Sequence, residues 1–361
     1  MTPKATIKTE AARLLGFFEA QGAKAVDADI LQSAEVLLDL YGEDIRARAY
    51  VTSDALRGEQ MLRPDFTVPV VQMHMEHGAE QARYTYAGEV FRRQEEDATR
   101  PSEFMQVGYE VFDRENPAAA DAEVFALFQQ VLAPLGLRAA TGDMGILMAA
   151  VRGLSTTERR KAALLRHIWR PRRFRALLER FGGKAAVPAT RTALLTATDA
   201  MQDVGPFIGL RSKSEINARI EALKADAAEP PVSDAEAAIL DDILNLREKA
   251  PMVLERLRDI AVDLPAITPA VDALDARLTA MTARGVNVDE LDFEGSYGRT
   301  TLEYYDGFVF GFYAEARPDL PAVASGGRYD ALTHVLGQGR SIPAVGGVIR
   351  PELVAALGGT S

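Results

Sequence analysis

Residues 104–112 read FMQVGYEVF, and strand alternation puts Gln106, Gly108 and Glu110 on one face, with Met105, Val107, Tyr109 and Val111 on the other. In RYTYAGEVFRR, at residues 83–93, Tyr86, Gly88, Val90 and Arg92 share a face. A glycine between polar side chains lets a ligand approach the backbone closely. Arg92, Gln106 and Glu110, joined by Asp65, Tyr305 and Tyr329 from other segments, offer an ion for each end of an amino acid. The cation suits a carboxylate and the acids suit an ammonium. A glutamate with tyrosine hydroxyls suits a polar ring. The same residues also fit exposed strand positions and ordinary tyrosine packing, and spacing alone favours that plainer reading.

Other chemistries are poorly provided for. The chain has no cysteine, which removes thiolate nucleophiles, disulfides and cysteine metal sites. Of its four histidines, His74 and His77 share a helix face in QMHMEHG, but no third metal ligand stands near them. No metal and no cofactor is implied. With 41 basic and 52 acidic residues the net charge is -11, which disfavours nucleic acid as a partner. The N-terminal segment is broken by acids and polar residues, so it reads as neither a signal peptide nor a membrane span, and a cytoplasmic protein is expected.

These residues must be positioned by a mixed fold. Two helices are expected in the first forty residues, KTEAARLLGFFEAQGA and DILQSAEVLLDLYG. MLRPDFTVPVVQMHMEHG starts extended at its arginine-proline step and turns helical, with Asp65 or Thr67 as the cap. RYTYAGEVFRR and EFMQVGYEVFD alternate like adjacent antiparallel strands across the charged loop QEEDATRPS. PAAADAEVFALFQQVLAPLG is an amphipathic helix closed by proline and glycine. Strand character returns in TLEYYDGFVFGFYAEA and IPAVGGVI, with GGRYDALTHVLG as a turn into a helix. The economical architecture is α+β: one antiparallel sheet flanked by helices, formed by 1–150 and 286–361, with a helical insert at 151–285. Within the insert, the arginines of RHIWRPRRFRALLERFG read as a solvated face or as a docking surface.

The segments MLRPDFT, GEVFRRQ, RPSEFMQVGYEVF, LEYYDGFVF and SGGRYDAL, in this order and spacing, resemble the catalytic domain of histidyl-tRNA synthetase, a class II aminoacyl-tRNA synthetase. The resemblance spans about residues 5 to 150 and 290 to 357. It implies the class II synthetase-like antiparallel sheet in a dimer-forming core. It also implies that Asp65, Thr67 and Gln106 hold an ammonium group, and that Glu110, Tyr305 and Tyr329 read an imidazole. Arg92 matches the motif 2 arginine near the carboxylate and α-phosphate. Asp65 replaces a glutamate and is one methylene shorter, which reshapes the pocket.

The departures from that pattern bear on function. Thr300 stands where the family carries a carboxylate-activating arginine, with Arg299 one position off. A one-residue shift on a strand turns a side chain to the opposite face. GGVIRPELV places Leu353 at the motif 3 arginine, while Arg350 lies earlier, beside Pro351. Adenylation builds charge on phosphates and needs positioned cations, each worth about 3 kcal/mol or more. No anticodon-binding domain is expected after motif 3, and the motif 1 proline is missing from AKAVDADILQSAE.

A shortened relative of this kind is similar to the regulatory subunits of ATP phosphoribosyltransferase. That resemblance implies a non-catalytic protein of histidine biosynthesis. It would pair with a short-form ATP phosphoribosyltransferase catalytic subunit in a hetero-octamer, activate it, and confer feedback inhibition by L-histidine. The bound histidine is expected either in the old substrate pocket or at the interface with the catalytic chain. The rival readings are an active histidine-adenylating enzyme that uses Arg299 and Arg350 as relocated cations, or a stand-alone histidine-binding module.

Overall fold

The computed structural model describes residues 2–41, 45–77, 80–94, 100–201, 205, 208–299 and 304–358. Its first part runs α1 (Lys4–Ala20), β1 (Lys24–Ala25), β2 (Leu31–Ser33), α2 (Ala34–Tyr41), α3 (Ile45–Arg48), β3 (Val51–Asp54) and β4 (Gly58–Leu62). Then come α4 (Thr67–His77), β5 (Ala82–Phe91), β6 (Glu103–Phe112), α5 (Pro117–Leu132) and β7 (Arg138–Asp143). A largely helical stretch follows: α6 (Met144–Gly153), α7 (Glu158–Arg166), α8 (Pro171–Phe181), α9 (Ala189–Thr196), α10 (Lys213–Ala228), α11 (Asp234–Asn245), β8 (Arg247–Lys249), α12 (Ala250–Asp263) and α13 (Thr268–Ala283). The last part is β9 (Asp292–Glu294), β10 (Phe308–Tyr313), β11 (Ala324–Arg328), α14 (Asp330–Leu336), β12 (Ala344–Ile349) and α15 (Pro351–Gly358).

Nine strands form one sheet in the order β1-β5-β6-β12-β11-β10-β7-β9-β8, antiparallel except where β1 meets β5 and β7 meets β9. Its two faces differ in chemistry because side chains alternate across it. Val107, Tyr109 and Val111 of β6 and Phe308, Phe310 and Phe312 of β10 point to one face, which α1 and α5 cover. There Phe18 stacks on Tyr109 at 5.0 Å, and Phe125 and Phe128 meet the β10 phenylalanines. Burying such rings contributes about 1.5–3 kcal/mol each before the entropy of ordering them is subtracted.

The opposite face carries Tyr86 and Gly88, Gln106 to Glu110 at alternate positions, Gly327 and Gly346, aligned by the strand register. Among the described residues, no helix is long and apolar enough to cross a membrane.

Local structure departs from the sequence reading in four places. The second segment, expected to be helical throughout, begins as β2 and becomes helix at Ala34, because Leu31 to Ser33 pair with β4. β3 and β4 form an unexpected hairpin that completes a small β2-β4-β3 sheet; every residue of β3 is exposed, so no buried alternation announces it. Gly326 to Arg328, read as the turn that opens GGRYDALTHVLG, belong to Ala324–Arg328, a strand in mid-sheet. Tyr304 and Tyr305, read as strand, precede β10 in a turn. At α4, the Asp65 carboxylate does accept the Val68 N–H, at 3.3 Å.

Candidate functional site

The polar face of β6 builds the site. Glu110 is fully buried, and its carboxylate accepts three hydroxyl groups. Tyr86 donates to Oε1 at 2.7 Å, Thr67 to Oε1 at 3.1 Å, and Tyr329 to Oε2 at 2.5 Å. Thr67 is the first residue of α4, Tyr86 comes from the neighbouring strand, and Tyr329 follows β11, so three elements converge on one acid. Burial pushes the Glu110 carboxyl up to about 7; the three donors oppose that rise, and nearby Asp65 adds to it. Burial and the Glu110 charge also hold the Tyr86, Tyr305 and Tyr329 hydroxyls protonated.

Glycines make this crowding possible. Gly346 lies opposite Glu110 on β12, and a Cβ there would stand 1.5 Å from Oε2. A Cβ on Gly108 would meet the Tyr86 ring at 2.0 Å, and one on Gly327 would meet Tyr305 at 2.8 Å. The polar side chains lie flat over bare backbone.

The seven sequence-nominated binding residues, Asp65, Thr67, Arg92, Gln106, Glu110, Tyr305 and Tyr329, lie together here. Asp65 and Arg92 lie within electrostatic range of Tyr305, as does Glu110. Arg92 stands just past the end of β5, and its Nε donates to the Pro64 carbonyl at 2.7 Å. Gln106 lies on the same face opposite Gly88, wholly buried, and among the described residues neither its amide nitrogen nor its amide oxygen has a hydrogen-bond partner. Such an orphaned amide costs about 1–3 kcal/mol, so the position is built for a polar partner. Two contributors were not nominated. Tyr86, stacked on Phe66 at 4.4 Å, was placed on the right face of its strand but not on Glu110. Tyr304 packs edge-on against both Tyr305 and Tyr329.

Beside this acid end lies a cationic one. Arg48, Arg92, Arg93, Arg100 and Arg350 line a cavity of about 410 Å³ with Phe104 at its wall. The Arg92 and Arg350 guanidiniums both sit over the Phe104 ring, at 5.5 and 5.9 Å. Burial, with the Arg92 charge adding to it, brings Arg350 down to about 10; its Nη1 donates to the Ala322 carbonyl. Leu353, which the sequence resemblance aligns with the motif 3 arginine, lines the same cavity as an apolar wall. Thr300 lies outside the described residues. Arg299 turns toward α8: its Nε donates to the Ile168 carbonyl at 2.8 Å and its guanidinium covers Phe174.

His74 is buried against Phe112, with Nδ1 at 3.2 Å from the Tyr84 hydroxyl, and burial lowers it to about 4. Among the described residues no group of three or more His, Asp and Glu converges as a metal site.

A family model of histidyl-tRNA synthetase matches residues 3–205 and 210–354. A protein of Agrobacterium fabrum described as an ATP phosphoribosyltransferase regulatory subunit is 32% identical over 97% of this chain and 97% of its own length. The chain belongs to the family of ATP phosphoribosyltransferase regulatory subunits. A regulatory subunit of Chelativorans sp. is 30% identical, again over 97% of both chains.

Among solved structures, this family member superposes on an ATP phosphoribosyltransferase regulatory subunit/histidyl-tRNA synthetase of Bacillus halodurans. The TM-score is 0.67 at 20% identity, covering 98% of this chain and 79% of that one. A histidine–tRNA ligase subunit of Alicyclobacillus acidocaldarius gives 0.60 at 24% identity, covering 98% and 93%. These likenesses show the fold, the class II synthetase-like α+β sheet flanked by helices.

Proposed function

We propose that this protein is the non-catalytic regulatory subunit of an ATP phosphoribosyltransferase and senses L-histidine in the pocket around Glu110. The observation that carries the reading is the buried Glu110 carboxylate under three hydroxyls, four residues along β6 from the Gln106 amide, which has no partner among the described residues. In this reading Glu110, Tyr305 and Tyr329 hold the imidazole, Asp65, Thr67 and Gln106 hold the ammonium, and Arg92 holds the carboxylate. A ligand bearing a donor for Gln106 Oε1 relieves the cost of an unpaired buried amide.

The family points to the partner: a short-form catalytic chain in the cytoplasm, joined in a hetero-octamer built on dimers of this subunit. Activation and feedback then follow from linkage. Histidine that binds one arrangement of the complex more tightly shifts the population toward it, with couplings typically of about 1–3 kcal/mol. Reconstitution tests the reading. Adding this protein to a short catalytic chain is expected to raise turnover, and histidine is expected to suppress that gain. No change in turnover and no co-elution would leave a stand-alone histidine-binding module.

One observation favours a second reading. Arg350 shares the cationic cavity with Arg92, so cations remain where phosphates would develop charge. An adenylating enzyme would show histidine-dependent exchange between ATP and pyrophosphate. The regulatory reading expects none, because Leu353 supplies no cation and Arg299 is engaged with the insert.

A further inference from the structure

A chain of buried charges runs from the helical insert to the pocket tyrosines. Arg277 of α13 and Arg328 at the end of β11 are 4% and 8% exposed, and Asp121 of α5, 2% exposed, lies between them. Asp121 Oδ2 accepts Arg277 Nε at 2.8 Å, while Oδ1 accepts Arg328 Nε at 3.0 Å and Nη2 at 2.6 Å. One carboxylate therefore holds two guanidiniums, one with each oxygen.

At its outer end, Arg277 Nη2 donates to Asp143 at 2.8 Å, and its guanidinium lies over Phe308 at 4.6 Å. The Asp143 carboxylate also caps α6 through the Gly145 N–H. At the inner end, Arg328 Nη1 donates to Asp330 at 2.9 Å. The Asp306 carboxylate accepts the N–H groups of Asp330 and Ala331 at 3.0 and 2.6 Å, and the Asp306 N–H donates to the Arg328 carbonyl.

The position of these groups in the chain is what matters. Tyr305 precedes Asp306, and Tyr329 follows Arg328. The backbone that aims both tyrosines is thus tied by charge-assisted hydrogen bonds to Asp121, and through Asp121 to α13. Removing any one member strands a buried charge, so the chain keeps its arrangement or gives it up as a whole.

We propose that Asp121 is a relay: with Arg277 it positions Tyr305 and Tyr329 against the insert, so that occupancy of the pocket is felt in α13. The ligand in this proposal rests on the histidine reading given above. Asp121 and Arg277 are positioning residues, since neither is among the groups that surround Glu110.

Hydrogen exchange on the full chain, with and without L-histidine, tests the relay. In the natural protein histidine is expected to slow exchange around Tyr305 and Tyr329 and also, by about tenfold, in α13, while α10 serves as an unlinked reference. In Asp121→Asn the protection of α13 disappears and histidine binds about tenfold more weakly, within the usual range of coupling. A merely structural role would leave ligand-induced protection of α13 in place. Histidine protection confined to the pocket of the natural protein, or undiminished affinity in Asp121→Asn, overturns the relay.

If histidine changes exchange nowhere, it is the pocket reading that fails. The ligand-free comparison then decides the relay: Asp121→Asn must speed exchange both in α13 and around Tyr305, and loosening of α13 alone overturns it. Should Asp121→Asn fail to fold, Arg277→Lys carries the same test. It keeps the charge but cannot bridge two carboxylates with a planar fork.

Discussion

The acid end and the cationic end of the site are built on opposite plans. Glu110 is sealed at the floor of the sheet, with the hydroxyls of Tyr86, Thr67 and Tyr329 directed to its carboxylate. Next to it, five arginines line a cavity in which Arg350 and Arg92 share one aromatic ring and repel each other. A sealed acid fixes the orientation of a small polar ligand. A cluster of cations attracts anions, yet catalysis of phosphate chemistry depends on where each charge stands rather than on how many there are. The two ends can therefore part company: one can keep its ligand after the other has lost its reaction.

The contrast is broken most severely at its floor. Glu110→Ala leaves the hydroxyls of Tyr86, Tyr329 and Thr67 without their acceptor, and histidine affinity in calorimetry is expected to fall by about 3 kcal/mol or more, at least hundredfold. Unchanged affinity there and in Tyr305→Phe would mean that histidine binds elsewhere.

The pH dependence of the ligand-free protein comes next. Burial raises Glu110 from 4.5 to about 7 and Asp306 from 3.8 to about 6. A carboxyl raised on folding stabilises while it is protonated, so these contributions are complete below the ordinary carboxylate values and are lost as pH rises through 6 to 7. The Glu110 part is on the order of 3 kcal/mol. Urea midpoints measured from pH 5 to 8 are expected to show this loss, and Glu110→Gln is expected to flatten most of it.

A smaller effect separates the two ends of the ligand. Arg92→Ala is expected to weaken histidine by about 1.5 kcal/mol, the scale of a lost charged hydrogen bond. Histidinol, which has no carboxylate, should bind both forms alike. The smallest effect belongs to the cationic end. Arg350→Ala should leave histidine affinity within about 0.5 kcal/mol while reducing pyrophosphate binding at low salt.

Much of this arrangement was legible in the residues. Alternation placed β5 and β6 side by side and put Gln106 and Glu110 on one face, because a strand pattern survives in any register. Tyr86 was harder to assign: only the pairing of Tyr86 with Gly108 shows that its ring crosses a bare backbone to reach Glu110. The glycines of β11 pointed toward a turn, since glycine signals both turns and close packing, and only tertiary contact tells them apart.

Arg350 was read as lying before the motif 3 arginine position, beside a proline that disturbs the local backbone. Because β12 ends at Ile349 and α15 starts at Pro351, the junction instead places it in the cavity with Arg92. Arg277 and Asp121 gave no local signal at all. Their pairing joins residues 156 positions apart, and nothing in either helix alone announces it.

The measurement closest to the central claim is a calorimetric titration of L-histidine into the natural protein and into Glu110→Ala, with no catalytic chain present. Saturable binding by the natural protein and its loss in the variant are expected. Equal binding by both, or none by the natural protein until a catalytic chain is added, would contradict a histidine pocket built on Glu110.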